Sequence, residues 1–351
     1  MNLIEMRLEE FNYNLPEELI AQQPSVERDR SRMMVVDRKR GAVGNKLFYD
    51  IPEFFKKGDV LVINDSRVIS ARLIGKKTTG GMVEILLLSG KGCPSSTSQT
   101  WEVLLRPAKR VNIGTRILLD DECEIEVIER ISDKKWILKF ETEIDFDNFL
   151  KKHGRAPLPL YIKRKKGSEK SLKDIERYQT IYARVPGSVA APTAGLHFST
   201  SVLTILKDRG IDIVPITLHV GYSTFLPIET EFVEDHSMEK EFFEIDAETA
   251  GIINQAKRVI AVGTTATRVL ESVADKQGRI KQSSGYTGLF IYPGYRFKRV
   301  DVLLTNFHLP KSSLFLLACA FTGKDLIQEA YRKAIEEKYR FYSYGDCMLI
   351  L

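Results

Sequence analysis

The chain reads as an α/β protein: a core α/β domain with an inserted small antiparallel β-barrel domain. Three observations predict this. Beyond residue 199 strands and helices alternate, the pattern of a buried sheet flanked by helices. Between 66 and 155 short β-rich segments follow one another without a long helix, which suits a small barrel. The length, 351 residues of which 43% are hydrophobic, provides for two cores. The expected division is a discontinuous core of 1–65 plus 156–351 and an inserted barrel of 66–155.

Taken in order, Pro16 to Gln23 reads as a short helix opened by proline, and Asp59 to Asn64, DVLVIN, as a strand. The barrel strands are VEILLL, WEVLLR, TRILLD, EIEVIE and KWILKF, with Lys91 to Thr100 as one hairpin loop. Thr200 to Arg209 is a helix stopped by Gly210, and Ile211 to Val220 a strand. Ala247 to Lys257 is a helix, Arg258 to Val262 a strand and Thr265 to Ala274 a helix. Arg299 to Leu304 is a strand, followed by helices Ser313 to Phe321 and Asp325 to Lys338, and the chain closes on the strand CMLIL.

Composition narrows the function classes. Cys93, Cys123, Cys319 and Cys347 lie far apart with no C-x-x-C spacing, against a zinc site or a disulfide framework and in keeping with a reducing compartment. The N-terminal segment is acidic and interrupted, unlike a signal peptide, and the best apolar run is too short to span a bilayer. A soluble cytoplasmic protein without a membrane partner is expected. The net charge of +5 is unevenly placed. From Arg155 to Lys173 seven basic side chains stand against Glu169 alone, and Arg28, Arg30, Arg32, Arg38, Lys39 and Arg40 form a second cluster. Such patches suit a polyanion, or are a solvated lysine-rich loop.

The segment Arg177 to Ser199, RYQTIYARVPGSVAAPTAGLHFS, is built of small residues stiffened by Pro186 and Pro192. It is either a binding wall ending in Thr193 and His197 or a tight structural crossover. In α/β folds ligands bind beyond the carboxyl ends of strands. LHVGYSTF offers His219, Ser223 and Thr224 there; AVGTTATRVLE opens a helix with Gly263, Thr264 and Thr265, a place for an anion; VLLTNFHLPKSSL offers Thr305, Asn306, His308, Lys311 and Ser312. Three of the five histidines, His197, His219 and His308, thus fall in strand-end loops, as for a shared proton-exchanging site. A zinc triad is the competing reading, and no H-x-x-x-H or H-E-x-x-H helix supports it. No G-x-G-x-x-G after a strand, Walker loop or G-x-S-x-G elbow is present.

These segments, with FNYNLPEELIAQQP, NDSRVISARL, RYQTIYA, LFIYPGYRFKRVDVLLTNFHLP and YRFYSYGDCMLIL, closely resemble the S-adenosylmethionine:tRNA ribosyltransferase-isomerase family of the queuosine pathway. Ser70, Leu160, Ser223, Glu239 and Cys347 depart from the family pattern, Ser223 and Glu239 nearest the candidate site. The resemblance implies a monomer that uses S-adenosylmethionine as ribosyl donor. The acceptor is the aminomethyl-deazaguanine base of a tRNA anticodon; adenine and methionine leave, and no metal or other cofactor is needed. It implies His197 and His219 as base and acid, with His308 in reserve. Arg177, Thr193 and Asn306 would bind ribose or base, and Gly263, Thr264 and Thr265 the methionine carboxylate. Tyr178, Phe198, Tyr344 and Asp346 would face the sulfonium. Arg28, Arg30, Lys163, Arg164, Lys165 and Lys166 would meet tRNA phosphates, and the barrel either holds the anticodon stem or is scaffold. Two rivals are an RNA methyltransferase and a non-catalytic tRNA-binding module; the first lacks its usual Gly-rich loop.

Overall fold

The computed structural model describes residues 5–91, 97–109, 111–119, 123–164, 172–225 and 227–351. Two units form: a larger one of 1–67, 160–163 and 179–351, and a smaller one of 68–159 and 164–178. Against the insertion expected at 66–155, the smaller unit begins at Val68 and also takes in 156–159 and 164–178.

In chain order the first pass through the larger unit gives β1 (Arg32–Asp37), β2 (Ala42–Leu47), β3 (Asp59–Asn64) and β4 (Ser66–Val68). The smaller unit supplies β5 (Arg72–Lys77), β6 (Met82–Lys91), β7 (Ser98–Arg106), β8 (Arg116–Leu119), β9 (Cys123–Arg130), β10 (Lys135–Thr142), α1 (Phe146–His153) and α2 (Leu172–Arg177). The larger unit resumes with β11 (Val185–Ser188), α3 (Thr200–Asp208), β12 (Asp212–Leu218), β13 (Glu241–Ile245), α4 (Ala247–Gln255) and β14 (Arg258–Val262). It ends with α5 (Gly263–Val273), β15 (Ser283–Thr287), β16 (Val302–Asn306), α6 (Ser313–Thr322), α7 (Lys324–Glu336) and β17 (Cys347–Ile350).

Among the described residues one nine-stranded mixed sheet forms the larger unit, in the order β15-β13-β12-β3-β14-β16-β17-β1-β2. Its centre is parallel: β12, β3, β14 and β16 run the same way. DVLVIN suits this position because it is apolar on both faces. Val60 and Val62 enter one core with Ala261, and Leu61 and Ile63 enter the other with Ile260 and Val262. Helices α4 to α7 supply the first core, and α3 with Phe48 and Ile51 the second. Side-chain oxygens of Ser199, Asp246 and Ser312 cap α3, α4 and α6. The helix expected over Pro16 to Gln23 is only a 3-10 turn at Glu17–Leu19, too short to bury an apolar face.

In the smaller unit six antiparallel strands close a barrel in the order β10-β7-β6-β5-β8-β9. Alternate residues such as Ile85, Val103, Ile125 and Leu138 fill it. A Cβ at Gly75 would stand 2.5 Å from Ile117 Cγ2, so the wall there admits only glycine. Among the described residues no helix is long and apolar enough to cross a membrane.

Candidate functional site

The parallel strands β3, β12, β14 and β16 finish at one sheet edge, where β17 and β1 begin; Cys347 is in register with both Asn306 and Met33. Topology alone therefore brings together Asp65–Ser66, His219–Thr224, Gly263–Thr265 and Phe307–Ser312 with Asp346 and Ser31. The small-residue segment crosses the same edge, with Val189 N–H donating to Val220 O at 2.9 Å.

A cleft opens here in two adjoining lobes that share Thr193, Thr224, His308 and Leu314. One lobe is lined by Ala191 to Ala194, Val220, Thr305 and Gly263 to Thr265. The other is lined by Tyr161, Asn306, Phe307, Ser312, Tyr342 and Ser343. Helix α5 begins at the first lobe with Gly263 at φ 87° and no side-chain cap. Its first amides and the positive end of its dipole make that lobe suitable for an anion.

The three imidazoles differ. His197 is buried with both nitrogens engaged, Nδ1 with Ser31 Oγ at 2.6 Å and Nε2 with Asn306 Nδ2 at 3.1 Å. Asn306 also donates to the carbonyls of Tyr342 and Asp346, so its Nδ2 is a donor and His197 Nε2 an acceptor. Burial, then the Arg340 and Arg28 charges, push the His197 pKa down to about 3. Both ring nitrogens are thus engaged within the fold, and burial favours the neutral ring. His308 lines both lobes, hydrogen-bonds Thr305 Oγ1 through Nε2 at 2.7 Å, and is pushed by burial to about 3. His219 is only partly buried; its Nδ1 meets Ser66 Oγ at 2.8 Å, and Ser66 Oγ meets Ser188 Oγ at 2.6 Å. Burial lowers its pKa while Asp65 and Glu244 oppose that shift. Gly187 leaves room for its ring: a Cβ there would lie 2.6 Å from His219 Cε1.

The remaining expectations divide. Thr193, Asn306, Gly263, Thr264 and Thr265 line the cleft. Asp346 is buried, and its oxygens accept the Arg32 and Arg340 amides at 3.0 and 2.8 Å. Phe198 is wholly in the second core and Tyr344 is buried, so neither presents a free ring face. Arg177 and Tyr178 belong to the smaller unit, at the end of α2. Arg164 makes a two-pronged ion pair with Asp174 at 2.8 Å, so its charge is already neutralised within the chain. Arg30 pairs with Glu27 at 3.1 Å and lies over the Tyr49 ring, and Arg28 donates to Leu196 O. Lys163 is exposed, with Glu17 3.9 Å away. Lys165 and Lys166 lie outside the described residues, as does the side chain of Ser223.

Several contributors were not singled out from the sequence. Asn64 bridges β3 to the Leu218 backbone, and Ser66 and Ser188 support His219. Glu241 and Arg268 form a buried ion pair; Glu241 Oε1 also accepts Gly221 N–H at 2.8 Å and so anchors the loop that carries Thr224. The only available signal was NDS directly after an all-apolar strand. Among the described residues no group of three or more His, Cys, Asp or Glu is arranged to hold a metal ion.

A family model described as "Queuosine biosynthesis protein" matches residues 8–350. The S-adenosylmethionine:tRNA ribosyltransferase-isomerase of Syntrophus aciditrophicus is 59% identical, covering 99% of this chain and all of that one. Its counterpart from Halothermothrix orenii is 49% identical with the same coverage. The crystal structure of S-adenosylmethionine tRNA ribosyltransferase from Thermotoga maritima is similar at 34% identity and a TM-score of 0.54, over 97% of this chain and all of that one.

Proposed function

The chain belongs to the queuosine biosynthesis family of S-adenosylmethionine:tRNA ribosyltransferase-isomerases, and from that premise we propose that its strand-edge cleft is where the ribosyl donor is held. The reaction transfers and isomerises the ribosyl moiety of S-adenosylmethionine onto a base in tRNA, 7-aminomethyl-7-deazaguanine, and gives epoxyqueuosine with release of adenine and methionine. The observation that carries the assignment of the site is the uncapped amino end of α5 opening into the lobe that also holds His308.

In this reading the methionine carboxylate sits on the Gly263–Thr265 amides. The sulfonium acidifies the neighbouring C5′ protons, and one imidazole removes a proton there. His308 faces the cleft and stays neutral, which suits direct contact with a cationic substrate. His219 lines neither lobe but stands at the same strand ends, only partly buried and with Nδ1 on Ser66 Oγ, so it is the imidazole left to exchange protons in the cycle. His197 acts through Asn306 as a positioning residue. The chain's family likeness implies a cytoplasmic monomer, and the need to present a single unstacked base points to the anticodon stem-loop.

The test is incubation with S-adenosylmethionine and tRNA carrying the aminomethyl-deazaguanine, with free adenine measured by chromatography. Adenine released only with that tRNA is the expected result. S-adenosylhomocysteine would indicate methyl transfer, and neither product a binding module. In the same assay His219→Gln is expected to cut turnover by about 10²-fold or more with tRNA affinity retained. Loss of tRNA binding instead would make His219 a recognition residue.

A further inference from the structure

The C-terminal motif YRFYSYGD has no part in the scheme above, yet it places a strained residue against the cleft. Tyr342 has φ 73°, in the left-handed region that a bulky side chain rarely adopts. The fold holds it there from several directions. Its amide donates to Phe307 O at 3.1 Å, and its carbonyl accepts both Asn306 Nδ2 at 3.2 Å and Gly345 N–H at 2.9 Å. A Cβ at Gly345 would stand 2.4 Å from Arg340 O, so the turn that imposes this conformation needs glycine. Backbone strain of this kind persists only where the surroundings over-determine it.

The side chain carries a second cost. Tyr342 is 6% exposed, and among the described residues its hydroxyl has no hydrogen-bond partner. Asn306, on the same lobe, has its Oδ1 buried without a partner as well. The Tyr342 ring packs at 4.4 Å on Tyr161, whose own hydroxyl is fixed on Ser343 at 2.6 Å. The residues that line this lobe thus include a tyrosine pair and carry a buried hydroxyl and a buried amide oxygen, both without a partner. Buried polar groups are normally satisfied, and those that are not call for an explanation.

We propose that Tyr342 is a substrate-contacting residue, and that with Asn306 Oδ1 it forms a subsite for the amino-bearing purine ring of the ribosyl donor. The ring is planar and offers both an exocyclic amino donor and ring-nitrogen acceptors, which complement an amide oxygen and a hydroxyl set beside an aromatic pair. The proposal rests on the cleft being the donor site. It places adenine in the lobe of Tyr161 and Tyr342 when the carboxylate lies at α5.

Tyr342→Phe tests it, because the ring, the backbone conformation and the packing remain. Removing a contact of this type should raise the KM for S-adenosylmethionine, and the Kd for S-adenosylhomocysteine by calorimetry, about threefold to tenfold. The tRNA Kd should not move. The melting temperature should hold or rise, since the variant no longer buries an unpaired hydroxyl. A purely structural tyrosine would give the reverse, a lower melting temperature with unchanged KM, and that result overturns the proposal. A weakened tRNA Kd with unchanged donor affinity overturns it too, by placing the subsite on the RNA base. If the unsubstituted protein releases no adenine at all, the assignment of the reaction fails instead, and the two failures are told apart by that control.

Discussion

At the scale of single residues, two buried imidazoles set the response of the fold to acid. His197 and His308 both have pKa values near 3, far below the ordinary 6.5. In the unfolded chain they take up protons as the pH falls below 6.5, while the native state does not. The stability they contribute is therefore complete above that pH and drains away as the pH falls toward 3, by about 1.4 kcal/mol per pH unit for each histidine. Urea unfolding from pH 7 to 4.5 should show a steep loss for the native sequence. His197→Gln should be less stable at pH 7, having lost its links to Ser31 and Asn306, but should lose stability less steeply on acidification. Parallel curves would mean that His197 is protonated in the fold. The residue types of the site were legible in the sequence because small residues and histidines at strand ends are unusual. Their roles were not. Whether an imidazole is a strut or a proton carrier depends on burial and on both ring nitrogens, and His197 shows this through partners 166 and 109 positions away in the chain.

At the scale of elements, α5 joins the lobe lined by Gly263 to Thr265 to the loop of Thr224. Arg268, one turn and a half into α5, pairs with Glu241 of β13, and that carboxylate holds Gly221. Both side chains are almost wholly buried. Removing one partner leaves the other charged and unpaired in the core, so Arg268→Met should lose about 3–5 kcal/mol in equilibrium unfolding. Arg268→Met with Glu241→Leu should recover much of that, while the loop of Thr224, no longer tethered, should still weaken donor binding. A double variant as unstable as the single one would show that the pair acts through packing alone. Helix α5 and the parallel strands were readable because their apolar patterns are strong. The strands β13 and β15 were not. EFFEI turns a glutamate inward, against the alternation expected of a half-buried strand, and SSGYT has little apolar content. The hairpin of β1 and β2 escaped for a related reason, since AVGNKL is an exposed edge with no buried face to mark it.

For the whole molecule, the charge map decides how tRNA is held. The sequence shows a run of basic residues, but counting charges overstates what is available to phosphate. Arg164 is bound by both prongs to Asp174, which is itself nearly buried, so the pair belongs to the framework of the smaller unit. Lys163, one residue earlier, is largely exposed and only 3.9 Å from an exposed glutamate, an arrangement that water and salt screen readily. Adjacent residues of the same sign should thus behave oppositely. Each phosphate contact releases counterions and adds about 0.7–0.9 to the slope of log affinity against log salt. Lys163→Ala is expected to lower that slope by about this amount in filter-binding titrations from 50 to 200 mM salt, with no change in melting temperature. Arg164→Ala is expected to leave the slope as it is and to lower the melting temperature, because Asp174 loses its counter-charge. An unchanged slope in the lysine variant would move the phosphate contacts to other basic residues such as Arg28 and Arg30. A reduced slope in the arginine variant would mean that tRNA displaces Asp174, making that ion pair a gate to the bound state instead of part of the scaffold.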